Sequence, residues 1–128
     1  MPLYKDEVGR VSHLMIGTLR RMGAISSGVV GQSTFLKDLL SKNCIAVETD
    51  FMSEEVPKSG LKPVKALLAY NPSHEKLCEM GQMFSDFMVI ACWNTDFGYE
   101  EWRKSLYDIG TPTDIHRGKH YQVILVTK

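Results

Sequence analysis

Apolar positions change their period along the chain, and each change marks an element. Tyr4, Val8, Val11, Met15, Leu19 and Met22 recur at intervals of three and four, which keeps them on one face of a long helix. Gly23 closes the stripe, as a glycine just past a helix end does. The opposite face carries Asp6, Arg10, His13, Gly17 and Arg20. It reads as a solvated face, with a basic ridge toward an acidic partner or phosphate as the alternative. Ala24 to Thr34 (AISSGVVGQST) is small, Gly-rich and hydroxyl-rich. It predicts a flexible connector, capped by Ser33 where the short helix FLKDLLSKN begins. A P-loop reading fails there, because Gln32 stands where the phosphate-binding lysine belongs and Ser26 where the first glycine belongs.

Beyond Asn43 the period drops to two. Ile45 to Met52 alternates with one partly polar face, as a strand near a sheet edge does. Glu48 and Asp50 on that strand read as solvated rather than as an acid–base or metal pair, and Ser53 to Gly60 reads as a loop. Val64 to Tyr70 is apolar on both alternating sets and Met88 to Trp93 is a continuous apolar run. Both predict strands covered on two faces. Between them Leu77, Met80, Phe84 and Phe87 or Met88 have helical spacing, with Asn71 as N-cap and Pro72 at the first helical position. The stretch 64–95 thus predicts a central β-α-β unit, parallel and right-handed. After Asp96-Phe97-Gly98, Trp102, Leu106 and Ile109 mark another helix. Thr111 to His120 predicts a polar loop, and Tyr121 to Thr127 a buried last strand.

This order predicts one α/β domain over 1–128, with an α+β arrangement as the alternative. It implies a mixed sheet of about four strands, mixed through a hairpin of the first two, and helices packed on it. Composition narrows the class. Lys plus Arg equals Asp plus Glu, 15 against 15, so the whole-chain field favours neither nucleic acid nor an anionic membrane. No apolar run reaches the length of a membrane span, and the acidic N-terminal stretch is no secretory signal. Cys44, Cys78 and Cys92 lack metal or redox spacing and read as free thiols of a reducing, cytoplasmic interior. No motif calls for a metal or a cofactor. The apolar last strand leaves homo-oligomerisation open.

Candidate chemistry gathers at strand ends. Ligands of parallel sheets bind beyond the carboxyl ends of the strands, which here puts Asn71, Ser73 and His74 beside Asn94. The segment 111–120 adds Asp114, His116, Arg117, Lys119 and His120, a set suited to holding an anion. The leading expectation is a module that binds a small anionic or nucleotide-like ligand through Asn71, His74, Asn94, Arg117 and Lys119. An enzyme acting on a phosphate or acyl group is the first alternative, with His116 or His120 as general base and Asp114 orienting it. That composite site requires the 111–120 segment to lie at the same end of the sheet as Asn71 and Asn94. The second alternative is a protein-binding or inhibitor protein without a pocket, marked by exposed Phe97, Tyr99 and Tyr107.

Overall fold

A computed structural model of the chain describes residues 5–51, 62–94 and 98–128. Among them six strands form one sheet between two layers of helices, an α/β architecture. The strands are β1 (Ser26–Gly31), β2 (Ala46–Asp50), β3 (Val64–Tyr70), β4 (Phe84–Trp93), β5 (Thr111–Arg117) and β6 (Tyr121–Thr127). Their order across the sheet is β2-β1-β3-β4-β6-β5. The first four are parallel, and β6 runs antiparallel to both β4 and β5.

The helices are α1 (Lys5–Arg21), α2 (Ser33–Lys42), the single turn α3 (Leu77–Met80) and α4 (Tyr99–Leu106). Val11, Met15 and Leu19 of α1 and Leu36 and Leu40 of α2 bury against Val29, Leu68, Val89 and Val123 on one face of the sheet. Leu77 and Met80 of α3 and Trp102 and Leu106 of α4 bury against Leu67, Met88, Ile90 and Ile124 on the other. Strands of the sheet centre are apolar on both alternating sets because both sets face a helix layer. Fully burying one such side chain is worth roughly 1.5–3 kcal/mol, so the sheet centre carries most of the stability. Gly23 takes φ +79 just beyond α1, where its N–H and that of Ala24 close the helix on Arg20 and Leu19.

Five expectations are corrected. The sheet has six strands, not about four. Ser26–Gly31 is no connector but β1, hydrogen-bonded on both sides. It therefore separates β2 from β3, and the expected hairpin between those two does not exist. The helix expected up to residue 87 or 88 shrinks to a 3-10 turn at His74–Lys76 followed by α3. Phe84 and Phe87, three apart, instead lie on β4 and bury on opposite faces of the sheet, as residues three apart on a strand do. Finally, the 111–120 loop is mostly β5, an edge strand that tolerates Pro112. The predicted loop at 53–60 and the residues Phe97, Thr95 and Asp96 fall outside the described residues.

Candidate functional site

In strand order, β1 leads through α2 to β2 on one side, while β3 lies on the other side of β1. The point between the carboxyl ends of β1 and β3 is therefore the place where the connections diverge. Open parallel sheets bind their ligands at such a point, since neither connection covers it. A cleft of about 420 Å³ opens there, lined by Gly31, Gln32, Ser33 and Thr34 from the β1–α2 turn and by Asn71, Pro72, Ser73 and Lys76 after β3.

Sequence determines the shape of this turn. Gly31 has φ +93, and a Cβ on it would collide with the Tyr70 carbonyl oxygen of the neighbouring strand. Only glycine fits there without strain. Across the cleft Asn71 takes φ +45, a left-handed conformation that asparagine tolerates better than other side chains. It is not the cap of a helix. Its N–H donates to the Ala91 carbonyl at 2.6 Å, and its Oδ1 accepts from the Trp93 N–H at 3.4 Å. Ser33 does not cap α2 either, for Gln32 holds the N-cap position and makes no side-chain cap bond. Ser33 Oγ instead donates to Asp50 Oδ1 at 2.8 Å, and Lys37 Nζ sits 2.8 Å from the other oxygen of that carboxylate. Asp50 ends β2 about 20 residues after the Gly31 turn, the place where doubly wound folds set an acid against a ribose hydroxyl. Lys76 stands on the rim, and the positive end of the α2 dipole faces the opening. A strand precedes the turn, as in a P-loop, but Gln32 stands where the lysine belongs.

The second group of predicted residues lies at the same end of the sheet. Trp93 pairs with Tyr121 across β4 and β6, so the turn from Gly118 to His120 arrives beside Asn94. Asn94 ties the two together. Its N–H donates to His120 O at 2.8 Å, its Nδ2 donates to Gly118 O and Lys119 O, both at 3.3 Å, and its Oδ1 accepts from buried Gln122 Nε2 at 3.1 Å. Its amide serves as a clamp on the β5–β6 hairpin. Arg117 ends β5 opposite Gln122, and Lys119 is exposed in the turn. His74 opens the 3-10 turn beside the cleft; its side chain is outside the described ones.

Asp114 and His116 are not brought together. A bulge lies between them, so that Asp114 stands opposite Ile124 and His116 opposite Val123. Those two partners bury on opposite faces of the sheet. Asp114 accordingly pairs with Arg103 of α4 at 2.7 Å. His116 stacks on the Tyr121 ring on the other face, centroids 4.8 Å apart and 24° between planes. The helix layer over that face also holds Tyr70, whose ring meets Phe35 of α2 at 4.7 Å. Burial pushes the Tyr70 phenol up, a side-chain hydrogen bond with the Trp93 indole acting in the opposite direction. The Cys92 thiol, fully buried, is pushed up strongly by desolvation. Gly31, Gln32 and Thr34 were missed as site residues; the signal available was an apolar Val29-Val30 pair followed by a glycine and a helix start.

Neither a protein-family model nor a curated protein matches the sequence. Among solved structures the fold is similar to that of Haemonchus contortus phosphoethanolamine N-methyltransferase 2 in complex with S-adenosyl-L-methionine, with a TM-score of 0.57 and 12% identity. The likeness covers 92% of this chain and 37% of that one. At that identity it shows the fold alone, and this chain spans little more than a third of that protein.

Proposed function

We propose that the chain binds a nucleoside-type ligand bearing an anionic group, in the cleft between β1 and β3. The observation that carries this reading is the coincidence of the cleft with the topological switch point, at a turn only glycine can make. The start of α2 and Lys76 supply positive potential for the anionic group, Asp50, held by Ser33 and Lys37, is the acid at the position that meets sugar hydroxyls in doubly wound folds, and Arg117 and Lys119 add charge at the same end of the sheet. S-adenosyl-L-methionine, with its ribose and carboxylate, is the first candidate because the similar fold was solved with it. Adenosine 5′-monophosphate is the second.

Calorimetric titration of the full chain with each tests the reading. Asn71→Asp keeps the left-handed backbone and the acceptor to Trp93 but adds a negative charge to the cleft. It is expected to weaken binding at least tenfold with no change in melting temperature, and Lys76→Ala to weaken it less. Equal affinity in wild type and both variants, or no binding of either ligand, would sink the reading. An acid–base enzyme built on Asp114 and His116 gains no support from their placement on opposite faces.

A further inference from the structure

Three large apolar side chains are exposed among the described residues: Met22 at 40%, Ile25 at 83% and Tyr107 at 57%. Two of them share one turn, the link between α1 and β1. A lone apolar side chain in solvent is ordinary, but this turn is built so that Ile25 stays out. Gly23 bends the chain past α1 at φ +79, and Ala24 takes the place against the core. The Ile25 carbonyl then accepts from the Ala46 N–H at 3.1 Å, which fixes the Ile25 backbone to the start of β2. Ile25 therefore projects from a pinned segment. Ala46 and, in the α2–β2 turn, Cys44 are exposed as well. Two adjoining turns thus make one apolar tip.

The tip stands among cations. Arg20 and Arg21 end α1 and are exposed. Arg20 Nη2 reaches the Asn43 carbonyl oxygen at 3.3 Å and Asn43 Oδ1 at 3.4 Å, which ties the end of α1 to the turn after α2 and holds the guanidinium near Cys44. Lys62 and Lys65 are exposed at the start of β3. Gly28 pairs with Leu67, so Lys65 is level with Ser26 on the neighbouring strand. Glu48 and Asp38, on β2 and α2, are engaged: Ser26 Oγ donates to Glu48 Oε1 at 2.6 Å, and Asp38 pairs with Lys42 at 3.0 Å. Tyr107 lacks such a setting, since Asp108 follows it and Arg103 beside it pairs with Asp114. The tip lies at the amino end of the parallel strands, opposite the cleft.

We propose that this tip docks the protein on an anionic lipid bilayer. Met22 and Ile25 enter the interface, and Arg20, Arg21, Lys62 and Lys65 meet the lipid headgroups. Apolar side chains ringed by arginine and lysine gain from burial and from the field of an anionic surface together. A second copy of the chain fits less well. A two-fold contact would set arginine against arginine, and so few side chains cover far less than the roughly 800 Å² per partner of a stable interface. Docking at the amino end leaves the cleft facing away from the bilayer and open to solvent, so the proposal is independent of what the cleft binds.

The test is co-sedimentation of the full chain with phosphatidylcholine vesicles, with and without about 30% phosphatidylserine, alongside size-exclusion chromatography and thermal melting. Binding is expected to the anionic vesicles alone, and to be lost in about 1 M salt, where the Debye length is about 3 Å. Ile25→Ser should weaken it at least about tenfold with no change in melting temperature, because the side chain is exposed in the free protein. Lys65→Gln together with Arg21→Gln should weaken it as well, and Tyr107→Ser, which removes the third exposed apolar side chain, should leave it unchanged. Equal binding to neutral vesicles, no binding to either, or the same loss in Tyr107→Ser as in Ile25→Ser overturns the proposal. So does a dimer that Ile25→Ser dissociates, which would assign the tip to a second copy.

Discussion

The two halves of the sheet treat their carboxyl edge differently. On the parallel side, the connections leaving β1 and β3 diverge and leave a cleft whose floor is backbone: the Gly31 turn, the Tyr70 carbonyl and the Asn71 bend. On the antiparallel side, β4 and β6 meet in a register that brings the Gly118–His120 turn back over the edge, and Asn94 ties it down through both ends of its amide. The first edge is held open by a residue without a side chain, the second is held shut by a side chain without spare valence. Polar residues at strand ends are therefore not equivalent. Asn71 and Asn94 look alike in the sequence, each ending an apolar strand, but one bounds a cleft and the other fastens a hairpin.

Variants can break or sharpen this contrast. The largest effect is expected on the open side: Gly31→Ala forces a side chain into a left-handed backbone and onto the Tyr70 carbonyl, at a cost of about 2–5 kcal/mol, read from urea denaturation. A loss below 1 kcal/mol would mean that the turn is free to move. On the closed side, Asn94→Ala leaves buried Gln122 without its partner and is expected to cost about 1–3 kcal/mol. Its signature is faster amide exchange over 117–122 with little change in β1. Uniform acceleration of both halves would contradict the division.

At the seam lies Cys92. Burial raises its thiol pKa well above the ordinary cysteine range, so above about pH 9 the unfolded chain releases a proton that the folded chain keeps. Stability is therefore full below that pH and falls as pH rises, by at most ~1.4 kcal/mol per pH unit for this group. Cys92→Ala should flatten the decline between pH 8 and 10; an unchanged slope would assign it elsewhere. The smallest effect is at the outer edge. Asp114 and Arg103 are both partly exposed, and solvent screening limits Asp114→Asn to less than about 1 kcal/mol, with ligand affinity untouched.

The sequence makes the sheet centre legible and its margins obscure. Val64–Tyr70 and Met88–Trp93 are apolar on both sets because both are covered, and they are adjacent and parallel as expected. β1 escaped because its residues answer to neighbours rather than to strand propensity: a Cβ at Gly28 would meet Val64 Cγ2 at 2.9 Å, so the strand is written in Ser and Gly and resembles a loop. β5 escaped because one of its sides is solvent and it carries charged side chains and a proline. The apparent helix through Phe84 and Phe87 arose from a spacing of three that a doubly covered strand produces as readily. For the candidate site, Asn71 was legible at its junction, whereas the Gly31 turn was hidden with β1, and the separation of Asp114 from His116 depends on a bulge that leaves no mark in composition.

The position of β6 between β4 and β5 has a kinetic consequence. Among the described residues β5 pairs in the sheet with β6 alone, so residues 111–117 can gain no sheet hydrogen bonds until a strand later in the chain has docked on β4. The β5–β6 hairpin is therefore completed only after that docking, while β1 to β4 can assemble without it. Slow association of parallel, distant strands would thus be followed by a local zipping step at the far edge. The last region to order would also be the one that carries His116 and Gly118.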